Sequence, residues 1–247
     1  MPVLILVGIA RDGPFGGRGA ISAALGKVFG LLPVRTRATG SQAAWVDTHD
    51  LGHLISCEEI LVEGCYDLEL VPFQPDIVVD CGAHIGLFSL IAGLRYPEAA
   101  LNAFEPHPAN VFILNRQLAR FGGRVHLTEA AVSTTTGMDW FYSEDSNTGR
   151  ISDESAPCAV QVRRVDLAKS IQYDIGTRLL LKMDIEGEEL RVLPHVISLL
   201  PRQCALYFET HGGEEAWQEI STLLVEHSFQ VSLTRNRGQF KDGFALR

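Results

Sequence analysis

The chain has 247 residues, 46% of them hydrophobic, and a formal net charge of −9 with an isoelectric point near 5.3. That length suits one large domain, or one domain with an extension, around a sizeable core. The acidic balance argues against phosphate-backbone binding as the main activity, because nucleic-acid binders carry a basic face. Five cysteines without a CxxC pair give neither a disulfide framework nor a zinc ribbon, which points to a reducing compartment, the cytoplasm. Residues 1–10 are apolar, lack a basic leading region and are too short to cross a bilayer, so they read as a buried strand or ordered arm. Residues 10–42, rich in Gly, Ala, Arg and Ser, read as loop and helix. A helix is predicted around 50–61, and Pro72 and Pro75 punctuate the entry to a new unit. Residues 1–75 are therefore taken as an N-terminal extension and 76–247 as the main domain. Trp45, His49, His53 and Tyr66 read first as residues buried against that domain, and second as part of a substrate cap.

From residue 77 apolar runs alternate with amphipathic stretches. Strands are predicted at 77–81, 101–105, 125–132, 179–185 and 204–211, with helices at 84–95, 108–121, 187–199 and 214–227. Residues 137–164 read as an antiparallel excursion around the polar loop 143–150. Runs at 229–234 and 240–246 read as a closing hairpin. This alternation with short links predicts an α/β, Rossmann-like fold: a mostly parallel sheet, helices on both faces, an antiparallel C-terminal hairpin. Ligands of such sheets bind at the carboxyl ends of the strands, where strand order switches.

Those strand ends carry the polar residues. The first ends in DCGAHIG, residues 80–86. Gly82 permits a positive φ and close approach of a ligand, and Gly86 lets the helix start pack on the strand. Asp80 stands where a dinucleotide fingerprint has its first glycine, which breaks that fingerprint and suits a ligand with a cationic amino group. The second ends in FEPHP, where Glu105 is placed to accept from the hydroxyls of a ribose and Pro106 and Pro108 set the turn. The third ends in LTEAAV, where Glu129 and the small Ala130 stand either to meet a flat ring or simply to pack. The fourth, KMDIEGEEL, brings Lys182, Asp184, Glu186, Glu188 and Glu189 within a few residues. Three charges on a central strand are costly unless a site uses them. On the fifth, Glu209 and His211 share a face, and His211 is the first candidate for a general base, with Asp184 second. Asp184, Glu186, Glu209 and His211 are also oxygen-rich enough for Mg²⁺, but no fixed-spacing motif supports that and no metal is expected.

The runs VVDCGAHIGLFSL, AFEPHPAN, EAAVS and LLLKMDIEGEELRVL together resemble the FkbM family of methyltransferases over roughly residues 76–211, most specifically at the KxDxEGxE element, Lys182 to Glu189. The resemblance implies S-adenosylmethionine as cofactor and methyl transfer to an oxygen of a small-molecule hydroxyl on a sugar, polyketide or other natural product. It implies a cofactor set of Asp80, Gly82, Ala83, Gly86, Glu105, Pro106, Glu129, Ala130 and Asp184, with Asp80, Gly82 and Gly86 around the methionine part, Glu105 at the ribose, and Glu129 and Ala130 near the adenine. It puts Asp184 and Glu186 at the reaction cleft, and with His211 these form the expected catalytic set. Neither nucleic acid nor membrane is expected as a partner, and self-association stays open. The rival readings are a non-catalytic cofactor-binding module, against which stand the acidic strand ends, and a nicotinamide-dependent oxidoreductase, against which stands the broken glycine fingerprint.

Overall fold

Continuous aliphatic runs such as Leu179–Leu181 have no polar face to turn to water, so they become strands covered on both sides. In the structure, a computed structural model that describes residues 29–36, 40–47, 50–142, 150–152 and 159–247, they lie at the centre of the molecule. An antiparallel hairpin, β1 (Phe29–Thr36) and β2 (Gly40–Asp47), leads into helix α1 (Leu51–Cys57) and a stretch of π-helix, Glu58–Glu63. Then come β3 (Ile77–Cys81), α2 (Leu87–Arg95), β4 (Ala100–Glu105), α3 (Pro108–Leu118) and β5 (Val125–Glu129). Next are β6 (Ala131–Ser133), β7 (Gly137–Tyr142), β8 (Arg150–Ser152), β9 (Val160–Asp166) and the short α4 (Leu167–Ser170). The chain continues through β10 (Arg178–Met183), α5 (Glu189–Val196), β11 (Gln203–His211) and α6 (Gly213–Glu226) to the hairpin β12 (Gln230–Arg237) and β13 (Phe240–Leu246).

Seven strands form the main sheet in the order β12-β13-β11-β10-β3-β4-β5. β11, β10, β3, β4 and β5 are mutually parallel, and the C-terminal hairpin joins antiparallel through β13. The α/β expectation therefore holds, hairpin included. Alternation along each strand sorts the core. Val79, Leu181 and Leu206 pack with Val192 and Leu193 of α5 and Ile220 and Leu224 of α6. Their neighbours Val78, Leu180 and Ala205 pack with Phe88 and Ala92 of α2 on the other face. Each fully buried aliphatic side chain contributes about 1.5–3 kcal/mol, so this double-sided burial dominates the stability of the sheet. Among the described residues no helix is long and apolar enough to cross a membrane.

Three boundaries differ from the sequence expectation. Residues 29–42, read as loop and helix, fall largely in the β1–β2 hairpin, whose strands pair with each other rather than with the main sheet. Its anchor is remote in sequence. Buried Gln117 of α3 accepts from Trp45 N–H at 2.8 Å and donates to Trp45 O at 3.3 Å. The run 125–132 is two strands, not one. At Ala130 the N–H turns to Glu105 O (3.1 Å), and β6 leaves for a second sheet of order β6-β9-β7-β8. Helix α5 starts at Glu189, because Glu186 and Gly187 hold φ of 57° and 102°. Residues 1–28, His49 and most of the polar loop 143–150 lie outside the described residues.

Candidate active site

The chain leaves β3 to build β4 and β5 on one side and returns to build β10 and β11 on the other. Strand order thus reverses between β3 and β10, and a crevice opens at their carboxyl ends. Two turns form its floor, residues 81–86 and 183–188. They are locked together: Asp184 N–H donates to Cys81 O at 3.2 Å. Gly82 has φ +78°, and a Cβ there would stand 1.9 Å from Asp184 O, so only glycine fits. His84 (φ 52°) and Glu186 (φ 57°), one in each turn, are left-handed without being glycine, a strain that clusters at functional sites.

Over these turns lies a cavity of ≈ 330 Å³, within the range of small-molecule sites. Gly82, Ala83, Glu105, Pro106, Ala130, Asp184, Glu186 and His211, all expected from sequence, line it. Asp80, Gly86 and Glu129 do not. Asp80, expected to meet a cationic ligand group, is 1% exposed; it accepts from Ser89 Oγ at 2.7 Å and lies 3.5 Å from Lys182 Nζ. It braces the joint between strand and helix from below. Gly86 starts α2 at φ +84°, where an added Cβ would stand 2.5 Å from Leu114 Cδ1. Glu129 is exposed at the last position of β5.

Glu105 is 5% exposed at the tip of β4. Its Oε2 accepts from His84 N–H (2.8 Å), and its Oε1 from His107 N–H (2.9 Å) and, more loosely, from Asn110 Nδ2 (3.3 Å). A carboxylate has about four acceptor sites, so one is open and a second is lightly held. Burial pushes this carboxyl up to about 7 against those hydrogen bonds.

The opposite wall is a charge cluster. Burial pushes the Asp184 carboxyl upward, but Lys182, His211 and Arg237 outweigh it and hold it below the usual range, ionised. Burial would lower His211, but Glu186 at 3.2 Å from Nε2 and Glu189 at 3.4 Å from Nδ1 push the ring up to about 11. The Nδ1 contact is an ion pair too poorly aligned for a hydrogen bond. These carboxylates favour the imidazolium, the form of the ring with no lone pair to take a proton, which weighs against ranking His211 ahead of Asp184 as base. Glu189 also caps the turn by accepting from Ile185 and Gly187 N–H at 2.7 and 2.9 Å. Glu209 is pushed up to about 9 by burial and by Asp184 and Asp242, against Arg237. Ligating atoms of Asp184, Glu186 and His211 lie within 4.8 Å of one another, and Glu186 pairs with the His211 ring at 3.2 Å.

Sequence reasoning missed part of the wall. Glu59 of the π-helix and Arg235 and Arg237 of β12 line the cavity and are interlocked: Arg237 reaches Glu59 (3.2 Å), Glu209 (2.8 Å) and Asp242 (3.0 Å), and Arg235 reaches Glu63 (2.9 Å). The period-two spacing of the two arginines on the closing strand was the available signal. Of the residues proposed for a cap, Tyr66 lines the cavity, whereas His53 is buried at 3% exposure and bonds to Asn110.

Comparison with known proteins identifies the family. The model of the methyltransferase FkbM domain matches residues 80–231. The 31-O-demethyl-FK506 methyltransferase FkbM of Streptomyces tacrolimicus is 28% identical over 208 residues, 70% of this chain and 80% of that protein. Methyltransferase sdnD of Sordaria araneosa is 28% identical over 205 residues, 68% of this chain and 72% of that protein. Among solved structures, M. jannaschii TYW2 in complex with AdoMet aligns with a TM-score of 0.48 at 9% identity, covering 90% of this chain and 87% of that one. The chain belongs to the FkbM family and is an S-adenosylmethionine-dependent methyltransferase.

Proposed function

We propose that this enzyme methylates a hydroxyl oxygen of a small molecule (a sugar, polyketide or other natural product) and that Asp184 takes the hydroxyl proton. The observation that carries the reading is Asp184 itself: an ionised carboxylate, 25% exposed, at the carboxyl end of β10 and in the cavity wall beside the Gly82 turn. An alcohol is a poor nucleophile at neutral pH, so a base within hydrogen-bond reach matters. A relative whose name specifies a 31-O-demethyl acceptor supports oxygen as the target atom.

The residues present fit the cofactor. The turn without a Cβ at Gly82, the open acceptor site on Glu105 and the small Ala130 make a cradle for a nucleoside carrying an amino-acid tail. Gly82 and Ala83 would hold the tail, Glu105 a ribose hydroxyl and Ala130 the adenine face. A second ribose hydroxyl reaches Glu105 only by displacing the long Asn110 contact. S-adenosylmethionine supplies an electrophilic sulfonium methyl when bound. The chain's part is to orient the acceptor, exclude water and accept a proton at Asp184. Ile55, Glu59, Ile60, Cys65 and Tyr66, all upstream of residue 76, would cap the acceptor.

Calorimetric titration with S-adenosylmethionine and S-adenosylhomocysteine tests the cofactor assignment. Micromolar binding of either is expected, followed by a product in a screen of hydroxylated acceptors; a folded sample that binds neither overturns the reading. Glu105→Ala is expected to weaken S-adenosylhomocysteine binding by roughly 1.5–3 kcal/mol, the worth of hydrogen bonds to a charged group. The pH dependence has a definite sign. Below about 7 the buried Glu105 carboxyl keeps its proton, and above it the carboxylate accepts from a ribose hydroxyl, so wild-type affinity should rise as pH passes through about 7. Glu105→Gln should lose that slope. A flat wild-type profile rules out the ribose role.

A further inference from the structure

Lys182 is 4% exposed in the middle of the sheet, where a charge without partners is costly. Four oxygens surround its ammonium. Gly82 O accepts at 2.7 Å and Cys81 O at 3.4 Å, while Asp80 Oδ1 and Asp184 Oδ2 each stand 3.5 Å away. Three of the four belong to β3 and its turn, and the fourth to the turn after β10. The same Oδ2 of Asp184 accepts from the Tyr66 hydroxyl at 3.4 Å. The Tyr66 ring is fixed edge-on against Phe88 and Tyr207, with centroids 5.1 and 5.5 Å apart. Both holds fall on one oxygen, so Oδ1 keeps its acceptor capacity.

We propose that Lys182, seconded by Tyr66, is a positioning residue that ties the Gly82 turn to the Asp184 carboxylate and so fixes the spacing between the cofactor end and the acceptor end of the cleft. This deepens the assignment of Asp184 as base and rests on it. Lys182 is suited to the task because its ammonium is a compact donor with three hydrogens, able to serve two turns at once. It stays cationic in its buried place because Asp184 and Asp80 outweigh the burial that would neutralise it. Other charges also bear on Asp184: Glu209 and His211 from β11, Arg237 and Asp242 from the closing hairpin, and Glu186 from its own turn. Beneath the floor lies Asp80, and beside Tyr66 in the cavity wall stands Cys65. Lys182, from β10 itself, and Tyr66, from the segment before β3, differ from these in meeting Asp184 Oδ2 directly.

The test is the titration of the Asp184 side chain, followed by carbon-13 NMR of aspartate-labelled protein and assigned by the signal lost in Asp184→Asn. In Lys182→Met the midpoint should move up by roughly one to three pH units, the effect of removing an adjacent opposite charge. Affinity for S-adenosylhomocysteine should fall about tenfold, worth about 1.4 kcal/mol, as the Gly82 turn loses its clamp. Tyr66→Phe keeps the ring packing and should move the midpoint in the same direction by less, with affinity and melting temperature unchanged. Lys182→Arg separates charge from placement and decides the matter if Lys182→Met does not fold: the midpoint should stay low while cofactor-product affinity drops. Wild-type affinity in Lys182→Arg together with an unmoved midpoint in Tyr66→Phe overturns the proposal. Turnover that survives Asp184→Asn removes the base assignment but leaves these titration results standing, so the two failures are distinguishable.

Discussion

Gly82→Ala is expected to abolish measurable binding of S-adenosylhomocysteine and to lower the melting temperature. The left-handed conformation at φ +78° costs an L-residue roughly 1–2 kcal/mol. The added methyl would also stand 1.9 Å from Asp184 O, an atom of backbone that cannot rotate away. Relief requires the two turns to separate, which breaks the bond from Asp184 N–H to Cys81 O and pulls Gly82 O off Lys182. Overpacking of this kind typically adds about 1–3 kcal/mol. The penalty falls where ligand and reacting groups meet, so binding should suffer more than global stability. Thermal melts and calorimetry on the same sample separate the two, and an alanine variant with wild-type values in both would contradict the geometry described.

Asp184→Asn is expected to lower kcat by about 10²–10⁴-fold, the usual worth of a positioned base, with S-adenosylhomocysteine affinity kept within a few fold. His211→Gln should act differently. Loss of the imidazolium removes one of the cations that hold Asp184 ionised, so the carboxyl binds its proton more tightly. The acidic limb of the rate profile then moves to higher pH, and rate is recovered as pH rises. A His211 that served as base itself would give the opposite pair of results: a rate in His211→Gln that no pH restores, and an Asp184→Asn variant that keeps turnover. Rate profiles of the two variants with one acceptor decide between them.

The parts of this molecule legible in sequence are those fixed by short-range pattern. The runs IVV (residues 77–79), LLL (179–181) and CALYF (204–208) are apolar without interruption and became central strands, and the polar residues after them fell at the cleft because parallel strands all end on one side. Side-chain direction at a strand end was not legible. Asp80 and Asp184 read alike as strand-end acids, yet register pairs Asp80 with Lys182 inside the sheet, while Asp184 lies one residue past β10, where its side chain reaches the cavity. The protonation of His211 was equally hidden, because Glu189, which helps decide it, sits on a different element and reaches it only once α5 packs beside β11. The N-terminal hairpin escaped because its anchor, Gln117, lies 72 residues from Trp45.

The cavity wall is drawn from two stretches of chain under different constraints. The floor lies within residues 80–231, the span shared with the family, and its glycine turn and paired charges tolerate little change. The roof, from Ile55 to Tyr66, precedes that span and is tied to the rest of the wall by side-chain contacts: Ser56 on His84, Tyr66 on Asp184, and Glu59 on Arg237 of the closing strand. A roof attached in this way is exchangeable. Transplanting residues 50–66 from a relative, with Ser56, Glu59 and Tyr66 retained, alters the shape offered to the acceptor and leaves the transfer machinery untouched. On the proposed assignment of this roof to the acceptor, selection or an engineer could change what is methylated without relearning how.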